Sequence, residues 1–396
     1  MTRKNYSSKL LLGLFVLIVF LGVAVYSAGR VIIQGQTVYG STDLVGWNML
    51  IAAYTFMALT ASGLCLTANF FEVLEIHRFQ LLQKRAHFLA ISLLVPALGM
   101  LSMELGRFDR VIYFILSPNF SSPMWWMGSI YAVYLGLLFF EFWAIHNNYK
   151  KIMRATSIIT LIFAVAATSI LGSIFGVILD KTLWFGSGTP VFFVFSAVVS
   201  GLAAMIAGTI LTYRLSNQSM SQELQQAIKE LSVILTVFLG IALVFTVWRL
   251  ITVSYARVPD ASFVTGSPYG FQFWVLYLVV GLIIPFIILL KAYDKEKTIK
   301  KANHLSIAGL MVLIGMYVDK HIFVISGQFN QPFNIPLGTY TSTLTEWGIF
   351  LGAIAASIMI YLFGEEKLRL ENRVKMKNTK SADTPQRDRY NDVGIV

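Results

Sequence analysis

Glu104 and Arg107 lie three positions apart at the end of a long apolar segment. Residues at this spacing share one face of an α-helix. A carboxylate in such a place can take up or release a proton, and a nearby guanidinium can keep it ionised or stabilise an anion. Charges within apolar membrane segments cost free energy, so each is a candidate for function. The alternative is an ion pair that only holds the end of the helix.

Neighbouring apolar segments carry polar and aromatic residues at the ends that would meet Glu104 if the segments cross a membrane in alternating directions. These residues are Trp47, Asn48, Trp125, Trp126, Ser173 and Asp180. Antiparallel helices that present such groups at one depth build small-molecule sites. We therefore predict a binding site at this end, although tryptophan is also common beside lipid headgroups for its own sake.

A second set of charged residues lies elsewhere in the apolar segments: Glu141, Arg249, Asp319 and Glu346. Ionisable groups inside membrane segments often belong to proton relays, so these four residues form a predicted proton path. The alternative is that they pair with one another or with neighbours and lock the helices together.

Ten apolar segments account for most of the chain, and several exceed the ~18 residues that mark a membrane-spanning helix. They cover about 10–28, 45–70, 87–106, 124–146, 155–179, 190–213, 231–254, 270–290, 304–325 and 346–363. We predict an all-α integral membrane protein of ten transmembrane helices in one domain, 1–364, followed by a polar tail, 365–396. The helices are expected to form two four-helix bundles, about 45–180 and 231–364, plus two additional helices. The connection 216–230 is predicted to be a helical extension of the seventh segment, and a Ser219-x-x-Gln222 spacing in it predicts a capping box.

Composition excludes several classes of protein. Apolar residues make up 56% of the chain and charged residues 13%, whereas about 25% is usual for charged residues in soluble proteins. The net charge of +11 does not predict nucleic-acid binding, because the basic residues flank the apolar segments. The single cysteine, Cys65, excludes an internal disulfide and an iron–sulfur cluster held by this chain alone.

The distribution of basic residues predicts the orientation. Of the 31 Lys and Arg residues, 24 lie in the two termini and in alternate connections between segments. Because such residues accumulate on the cytoplasmic side, both termini are predicted to be cytoplasmic. A cleaved signal peptide ending near Ser27 and Ala28 is an alternative for the first segment.

Metal and haem signals are weak in this sequence. No metal-binding motif is present, so no metal site is predicted. A membrane haem needs two histidines at one depth, and only His87 and His146 approach that arrangement. The alternative is that both histidines interact with headgroups at the ends of their helices.

The chain resembles the NrfD/PsrC family of polysulfide-reductase-type membrane subunits in a series of short motifs spread over nearly its whole length. The matching segments are Gly46-Trp47-Asn48, Ala53-Tyr54-Thr55-Phe56, Met103-Glu104-Leu105-Gly106-Arg107, Ser117-Pro118-Asn119-Phe120, Ser122-Pro123-Met124-Trp125, Gly327-Gln328, Tyr340 and Glu346-Trp347.

The resemblance implies a haem-free, quinone-reactive anchor in a prokaryotic plasma membrane, with menaquinone as the expected quinone. It implies an iron–sulfur partner subunit, and through it a molybdenum or multihaem catalytic subunit. Glu104 and Arg107 are then the expected catalytic residues for proton exchange. The expected quinone-binding residues are Trp47, Asn48, Trp126, Tyr131 and Asp180.

Two other functions remain open from the sequence. One is a secondary transporter with a polar site between two bundles, although such proteins usually have helices broken near the middle of the membrane. The other is a structural anchor whose quinone site has decayed.

Overall fold

A computed structural model describes residues 8–106, 111–216, 218–256, 264–266, 268–292, 302–329, 340–368 and 370. Ten of its helices are long and apolar enough to cross a membrane, as the sequence predicted. They are α1 (Ser8–Gln34), α2 (Met49–Val73), α3 (Gln80–Glu104), α4 (Pro123–His146), α5 (Lys150–Gly176), α6 (Gly188–Leu215), α7 (Gln222–Tyr255), α8 (Gln272–Ala292), α9 (Ala302–Ser326) and α10 (Leu344–Leu368).

Helix α2 lies at the centre of the protein. Nearly all of its side chains are buried, and it packs against α3, α5, α6 and α9. The contacts α2–α3, α3–α4, α4–α5 and α5–α2 close into a ring of four helices. We call this ring the first bundle, and it corresponds to the segment 45–180 of the sequence analysis.

A second ring consists of α6, α7, α8 and α9, which also contact one another in sequence. The sequence analysis instead grouped 231–364, which takes α10 as the fourth helix and leaves out α6. Helix α10 packs mainly on α1 and α3. Apolar pattern alone marks which segments are helices, but it does not say which neighbour each apolar face meets.

The two bundles meet where α2 crosses α6 at glycines. A Cβ atom on Gly63 would collide with the backbone of Ala197, and one on Gly201 would collide with the backbone of Gly63. Small residues let membrane helices approach until their backbones touch. The crossing therefore fixes the first bundle against the second at close range.

The start of α7 corrects a detail of the sequence analysis. The N-cap is Ser221, whose Oγ accepts a hydrogen bond from the Leu224 N–H at 3.3 Å, and not Ser219. The helix begins at Gln222, so it extends beyond the apolar segment predicted at 231–254. The sequence analysis predicted a helical extension over 216–230, and the connection is helical from Gln222 onward.

Candidate functional site

Asn48 is the N-cap of α2 and is fully buried. Its Oδ1 accepts a hydrogen bond from the Leu50 N–H at 2.8 Å. Its Nδ2 donates to Glu104 Oε1 at 3.0 Å and to Ser41 Oγ at 3.2 Å. An amide nitrogen has two hydrogens, so both are used. Asn48 therefore joins the start of α2 to the carboxylate at the end of α3.

Glu104 is the last residue of α3 and is half-buried. Its backbone carbonyl accepts a hydrogen bond from Gln36 Nε2 at 2.6 Å, and the carbonyl of Met103 accepts one from Tyr39 OH at 3.2 Å. Gly106 follows the helix with φ +68°, the left-handed conformation that ends many helices. These contacts satisfy carbonyls that the helix end leaves free, and they fix the position of the Glu104 side chain.

Tyr39 lies in the connection between α1 and α2. Burial is the main cause that raises the pKa of its phenol, and the nearby carboxylates of Glu104 and Glu346 raise it further. The phenol therefore stays protonated at neutral pH and keeps its hydrogen for the carbonyl of Met103.

An aromatic wall stands beside Asn48. Trp47 stacks on Trp184 with ring centroids 5.3 Å apart, and Phe175 meets both rings edge-on at 5.2 Å. Trp184 is buried, and its Nε1 donates to the carbonyl of Phe323 at 2.6 Å. The wall thus combines the start of α2, the end of α5, the following connection and α9.

A reciprocal pair of hydrogen bonds holds Trp47 to the end of α9. The Trp47 N–H donates to Gln328 Oε1 at 2.8 Å, and Gln328 Nε2 donates to the Trp47 carbonyl at 2.7 Å. Lys181 Nζ adds a bond to the Gln328 carbonyl at 2.9 Å. The Met49 N–H donates to Tyr340 OH at 2.8 Å. Sequence reasoning matched Gln328 and Tyr340 to the family but assigned neither to the site.

Glu346 lies in the first turn of α10 and forms a capping box with Thr343. The Thr343 N–H donates to Glu346 Oε2 at 3.0 Å, and the Glu346 N–H donates to Thr343 Oγ1 at 3.3 Å. The same carboxylate accepts bonds from Tyr340 OH at 2.6 Å and from the Gly40 N–H at 2.8 Å. These four bonds give Glu346 a structural task, whereas the sequence analysis expected it in a proton path.

The other predicted site residues have different surroundings. Trp126 is exposed, and its Nε1 donates to the Phe120 carbonyl at 2.9 Å. Tyr131 is buried inside the first bundle, with its ring 6.2 Å from that of Tyr54. Asp180 is exposed in the connection between α5 and α6. Arg107 lies outside the described residues.

A buried polar cluster lies inside the first bundle, and only part of it was anticipated. Cys65, His87 and Glu141 are fully buried, and their potential ligand atoms all lie within 4.8 Å of one another. Asn69 Nδ2 lies 3.2 Å from Cys65 Sγ and 3.1 Å from Glu141 Oε2. Ser157 Oγ donates to Glu141 Oε1 at 2.7 Å. We call Cys65, Asn69, His87 and Glu141 the inner cluster.

The two histidines considered for haem, His87 and His146, have different surroundings, and only His87 belongs to the inner cluster. His87 Nδ1 bonds the Gln83 carbonyl at 2.8 Å, and Nε2 lies 3.2 Å from Glu141 Oε2. Both ring nitrogens thus have close neighbours, and His146 is exposed at the end of α4. The described residues therefore do not place these two rings on either side of a haem.

A third charged group lies in the second bundle. Lys320, which the sequence analysis did not single out, is buried and bonds Asp319 Oδ2 at 2.8 Å and Ser196 Oγ at 2.9 Å. Arg249 lies over the ring of Phe323, 5.9 Å from its centroid. The four residues of the predicted proton path therefore lie in three separate environments. The adjacent Asp–Lys pair supports the alternative that Asp319 is paired.

Comparison with known proteins identifies the family. The family model described as polysulphide reductase, NrfD, matches residues 37–331. Three curated relatives cover most of the chain and are themselves mostly covered by it. A selenate reductase subunit of Mesobacillus selenatarsenatis is 23% identical, over 89% of this chain and 93% of the relative. The Hdr-like menaquinol oxidoreductase integral membrane subunit of Archaeoglobus fulgidus is 21% identical, over 82% and 85%.

The third relative is a putative dimethyl sulfoxide reductase membrane subunit of Halobacterium salinarum, 22% identical over 91% of each chain. All three names describe subunits of reductase or oxidoreductase complexes, and two state that the subunit lies in the membrane. The matched range begins just before the Asn48–Glu104 site and includes Gln328. With its ten membrane-type helices, the chain belongs to the NrfD polysulphide reductase family.

Proposed function

We propose that this chain is the membrane anchor of a multi-subunit respiratory oxidoreductase. In this role it exchanges electrons and protons between the membrane quinone pool and an iron–sulfur partner subunit. The observation that carries the proposal is the hydrogen bond between Asn48 and Glu104 at the ends of α2 and α3. Family membership supports it, and the name of the Archaeoglobus relative includes menaquinol.

The residues at this site fit a quinone. A quinone takes up two electrons and two protons when it is reduced, so its site needs an apolar slot and a group that exchanges protons. Glu104 is half-buried, and Asn48 holds its Oε1, which orients the carboxylate. The stacked rings of Trp47 and Trp184 provide a flat apolar wall nearby. Arg107 is proposed to favour the ionised form of Glu104.

The contacts of the expected quinone-binding residues support different proposed roles for them. Both amide hydrogens of Asn48 are already engaged, so we propose that it positions Glu104. Trp47 is proposed to contact the quinone ring. Trp126, Tyr131 and Asp180 are also proposed to contact the quinone; in the structure Trp126 bonds the Phe120 carbonyl, Tyr131 is buried inside the first bundle and Asp180 is exposed.

Electrons must leave through a partner protein in this proposal. The single cysteine, Cys65, cannot by itself hold an iron–sulfur cluster, which needs about four thiolates. We propose an iron–sulfur subunit that docks at the Glu104 end and passes electrons to a molybdenum or multihaem catalytic subunit. The proposed location is a prokaryotic plasma membrane with both chain termini in the cytoplasm. Menaquinone is the proposed quinone, and the chain itself is proposed to hold no haem.

Proton translocation is a secondary part of the proposal. Glu141, Glu346 and the Asp319–Arg249 group occupy separate environments. A continuous route through all four would need water to bridge them. Proton exchange at Glu104 is therefore the part of the proton chemistry that the geometry supports best.

The test is the substitution Glu104→Gln in the assembled complex. It keeps the size of the side chain and its acceptor for Asn48, but it removes the proton-exchanging group. We expect quinone-dependent turnover to fall by about 10²- to 10⁴-fold, the usual contribution of a general acid or base. Turnover is measured with a soluble quinol or quinone analogue on purified complex.

Glu223→Gln is the matched control, because Glu223 is exposed in the first turn of α7 and contacts no part of this site. It should turn over like the wild type. Wild-type turnover in an assembled Glu104→Gln complex would refute the proposal. Flux of a labelled solute through vesicles that contain only this chain would instead favour a transporter.

A further inference from the structure

We propose that the inner cluster is a zinc site, in which Cys65 Sγ, His87 Nε2 and Glu141 Oε2 bind one Zn²⁺. Zinc in proteins is held by thiolate, imidazole and carboxylate ligands, usually four in tetrahedral geometry. This chain brings one of each type together from α2, α3 and α4, with all three ligand atoms within 4.8 Å. Ligand atoms around zinc lie about 3.3–3.8 Å apart, so a contraction of about 1 Å completes the site.

The first argument for this site is the hydrogen bond of His87 Nδ1, the ring nitrogen that does not face Glu141. The Gln83 carbonyl can only accept, so His87 Nδ1 carries the hydrogen in their 2.8 Å contact. In a neutral imidazole, Nε2 then presents a lone pair to Glu141 Oε2, 3.2 Å away. Two lone pairs facing each other repel, so a proton or a metal cation must lie between them. Zn²⁺ bound by both atoms would take the place of that proton and use both lone pairs.

The surrounding hydrogen bonds are the second argument. Metal-binding histidines nearly always donate their second N–H to a carbonyl or carboxylate, and metal-binding carboxylates are themselves hydrogen-bonded. His87 meets the first condition through Gln83, and Glu141 meets the second through Ser157, which holds the oxygen that faces away from His87. His87 and Glu141 are thus already oriented by hydrogen bonds to residues outside the proposed zinc site.

Asn69 supplies the third argument and the proposed fourth ligand. Its Nδ2 lies between Cys65 Sγ and Glu141 Oε2, while its buried Oδ1 has no hydrogen-bond partner among the described residues. A half-turn of the amide exchanges these two atoms. The oxygen would then face the two ligands that Nδ2 now contacts, where it can bind the metal as the fourth ligand.

Charge balance is the fourth argument, because the inner cluster lies within the membrane-spanning part of α2, α3 and α4. With a thiol at Cys65 and one proton between His87 and Glu141, the cluster has no net charge. Zn²⁺ with a Cys65 thiolate, a neutral His87 and an ionised Glu141 also has no net charge. Binding therefore exchanges one Zn²⁺ for two protons, which leave to water, and it avoids the large cost of an uncompensated charge in a buried site.

Zinc at this position gives Glu141 a different role from the proton path expected from the sequence. The metal would join α2, α3 and α4 inside the first bundle. Zinc has no redox chemistry of its own. We therefore assign it to stability of the bundle, and quinone exchange at Glu104 does not depend on the assignment.

The test is the metal content of the full-length chain, purified in mild detergent from cells grown with added zinc. We expect about one zinc per chain in the wild type. Cys65→Ser and His87→Gln should each bind zinc at least about tenfold more weakly, since even loss of an outer-shell partner costs about 10- to 100-fold. His146→Gln is the matched control, because this histidine is exposed at the end of α4, and it should retain the metal.

X-ray absorption at the zinc edge of the wild-type chain keeps the test valid if the variants fail to fold. It should show one sulfur at about 2.3 Å together with nitrogen or oxygen ligands at about 2.0–2.2 Å. A wild-type chain without zinc, equal zinc in wild type and Cys65→Ser, or a zinc site without sulfur would each overturn the proposal. Both measurements are independent of quinone turnover, so this proposal and the proposed function can fail separately.

Discussion

Asn48 serves two helices with one side chain. Its Oδ1 caps α2, and its Nδ2 holds the carboxylate of Glu104. These two tasks can be separated, because a serine hydroxyl also caps helices well but is too short to replace the bond to Glu104.

We expect Asn48→Ser to keep the cap of α2 but to lose about 1.5–3 kcal/mol of stability with the bond to Glu104. It should also lose about tenfold or more in quinone turnover, because Glu104 is no longer held in position. Asn48→Ala should lose turnover to a similar extent and further stability, by about 0.5–2 kcal/mol for the missing cap. Thermal unfolding and turnover of each purified complex provide the comparison. Full turnover in Asn48→Ser would show that the bond to Glu104 has no part in function.

The sequence predicted the position of a residue along its helix better than the face of the helix that its side chain occupies. Trp47, Asn48 and Glu104 do lie close together, because each stands at the end of its helix. Tyr131 was placed with them, yet it lies buried near Tyr54. Position along a helix follows from counting residues, whereas the face that a residue occupies depends on how the helix is rotated against its neighbours.

The inner cluster is a second case in which the sequence shows part of a site but not the residues that complete it. On α2, Thr55, Ser62 and Asn69 recur at intervals of seven residues, and all are buried. Such spacing places polar groups on one face of a helix. This signal was available in the sequence, but the partners on α3 and α4 emerge only once the helices are packed.

The start of α10 is anchored by several hydrogen bonds. Thr343 and Glu346 form its capping box, and the same carboxylate holds Gly40 and Tyr340. Gly40 approaches the Thr341 carbonyl so closely that a Cβ atom would collide with it. The beginning of α10 is thereby tied to the connection between α1 and α2.

We expect Glu346→Gln to lower stability by about 1–3 kcal/mol, because an amide replaces one of the two acceptor oxygens and turns an N–H group toward a donor. Turnover per folded complex should stay close to that of the wild type. Thr343→Ala is the companion variant, since it removes the cap but leaves the carboxylate, and it should lose about 0.5–2 kcal/mol. A Glu346→Gln complex that is stable but inactive would restore Glu346 to a proton path.

Two helix starts show how well a capping-box pattern in the sequence predicts the N-cap. The capping box of α10 has the pattern Thr-x-x-Glu, and the structure forms it in full. The similar Ser219-x-x-Gln222 pattern does not form a capping box, because the N-cap is Ser221, one residue before the helix. Serines at 216, 219 and 221 offer competing caps in this connection, and the packing of the following apolar face selects among them.

For the whole molecule, the number and type of helices followed from the sequence because each must be apolar over about 20 residues to cross a membrane. The grouping into bundles did not. Helix α6 closes the second ring through its contacts with α7 and α9. A Cβ atom on Gly309 of α9 would lie 2.9 Å from the carbonyl oxygen of Ala203 on α6, a close approach that the apolar pattern does not reveal.

An even number of spans places both termini on the same side of the membrane, and the basic residues predict the cytoplasmic side. A reporter enzyme that is active only in the cytoplasm should therefore be active at the C-terminus. It should be inactive when it is inserted in the connection between α5 and α6. The reverse pattern would invert the orientation, and with it the side on which the iron–sulfur partner is proposed to dock.

The bonds from Gln328 and Tyr340 to the start of α2 have a consequence for the order of synthesis. Trp47 and Met49 receive partners that lie 281 and 291 residues further along the chain. A nascent chain can insert α2, α3, α4 and α5 early, but the backbone beside Asn48 stays without these partners until α9 and the start of α10 have left the ribosome. The Glu104 site is thus completed only near the end of translation, and chains truncated before α9 would contain the first bundle without a finished site.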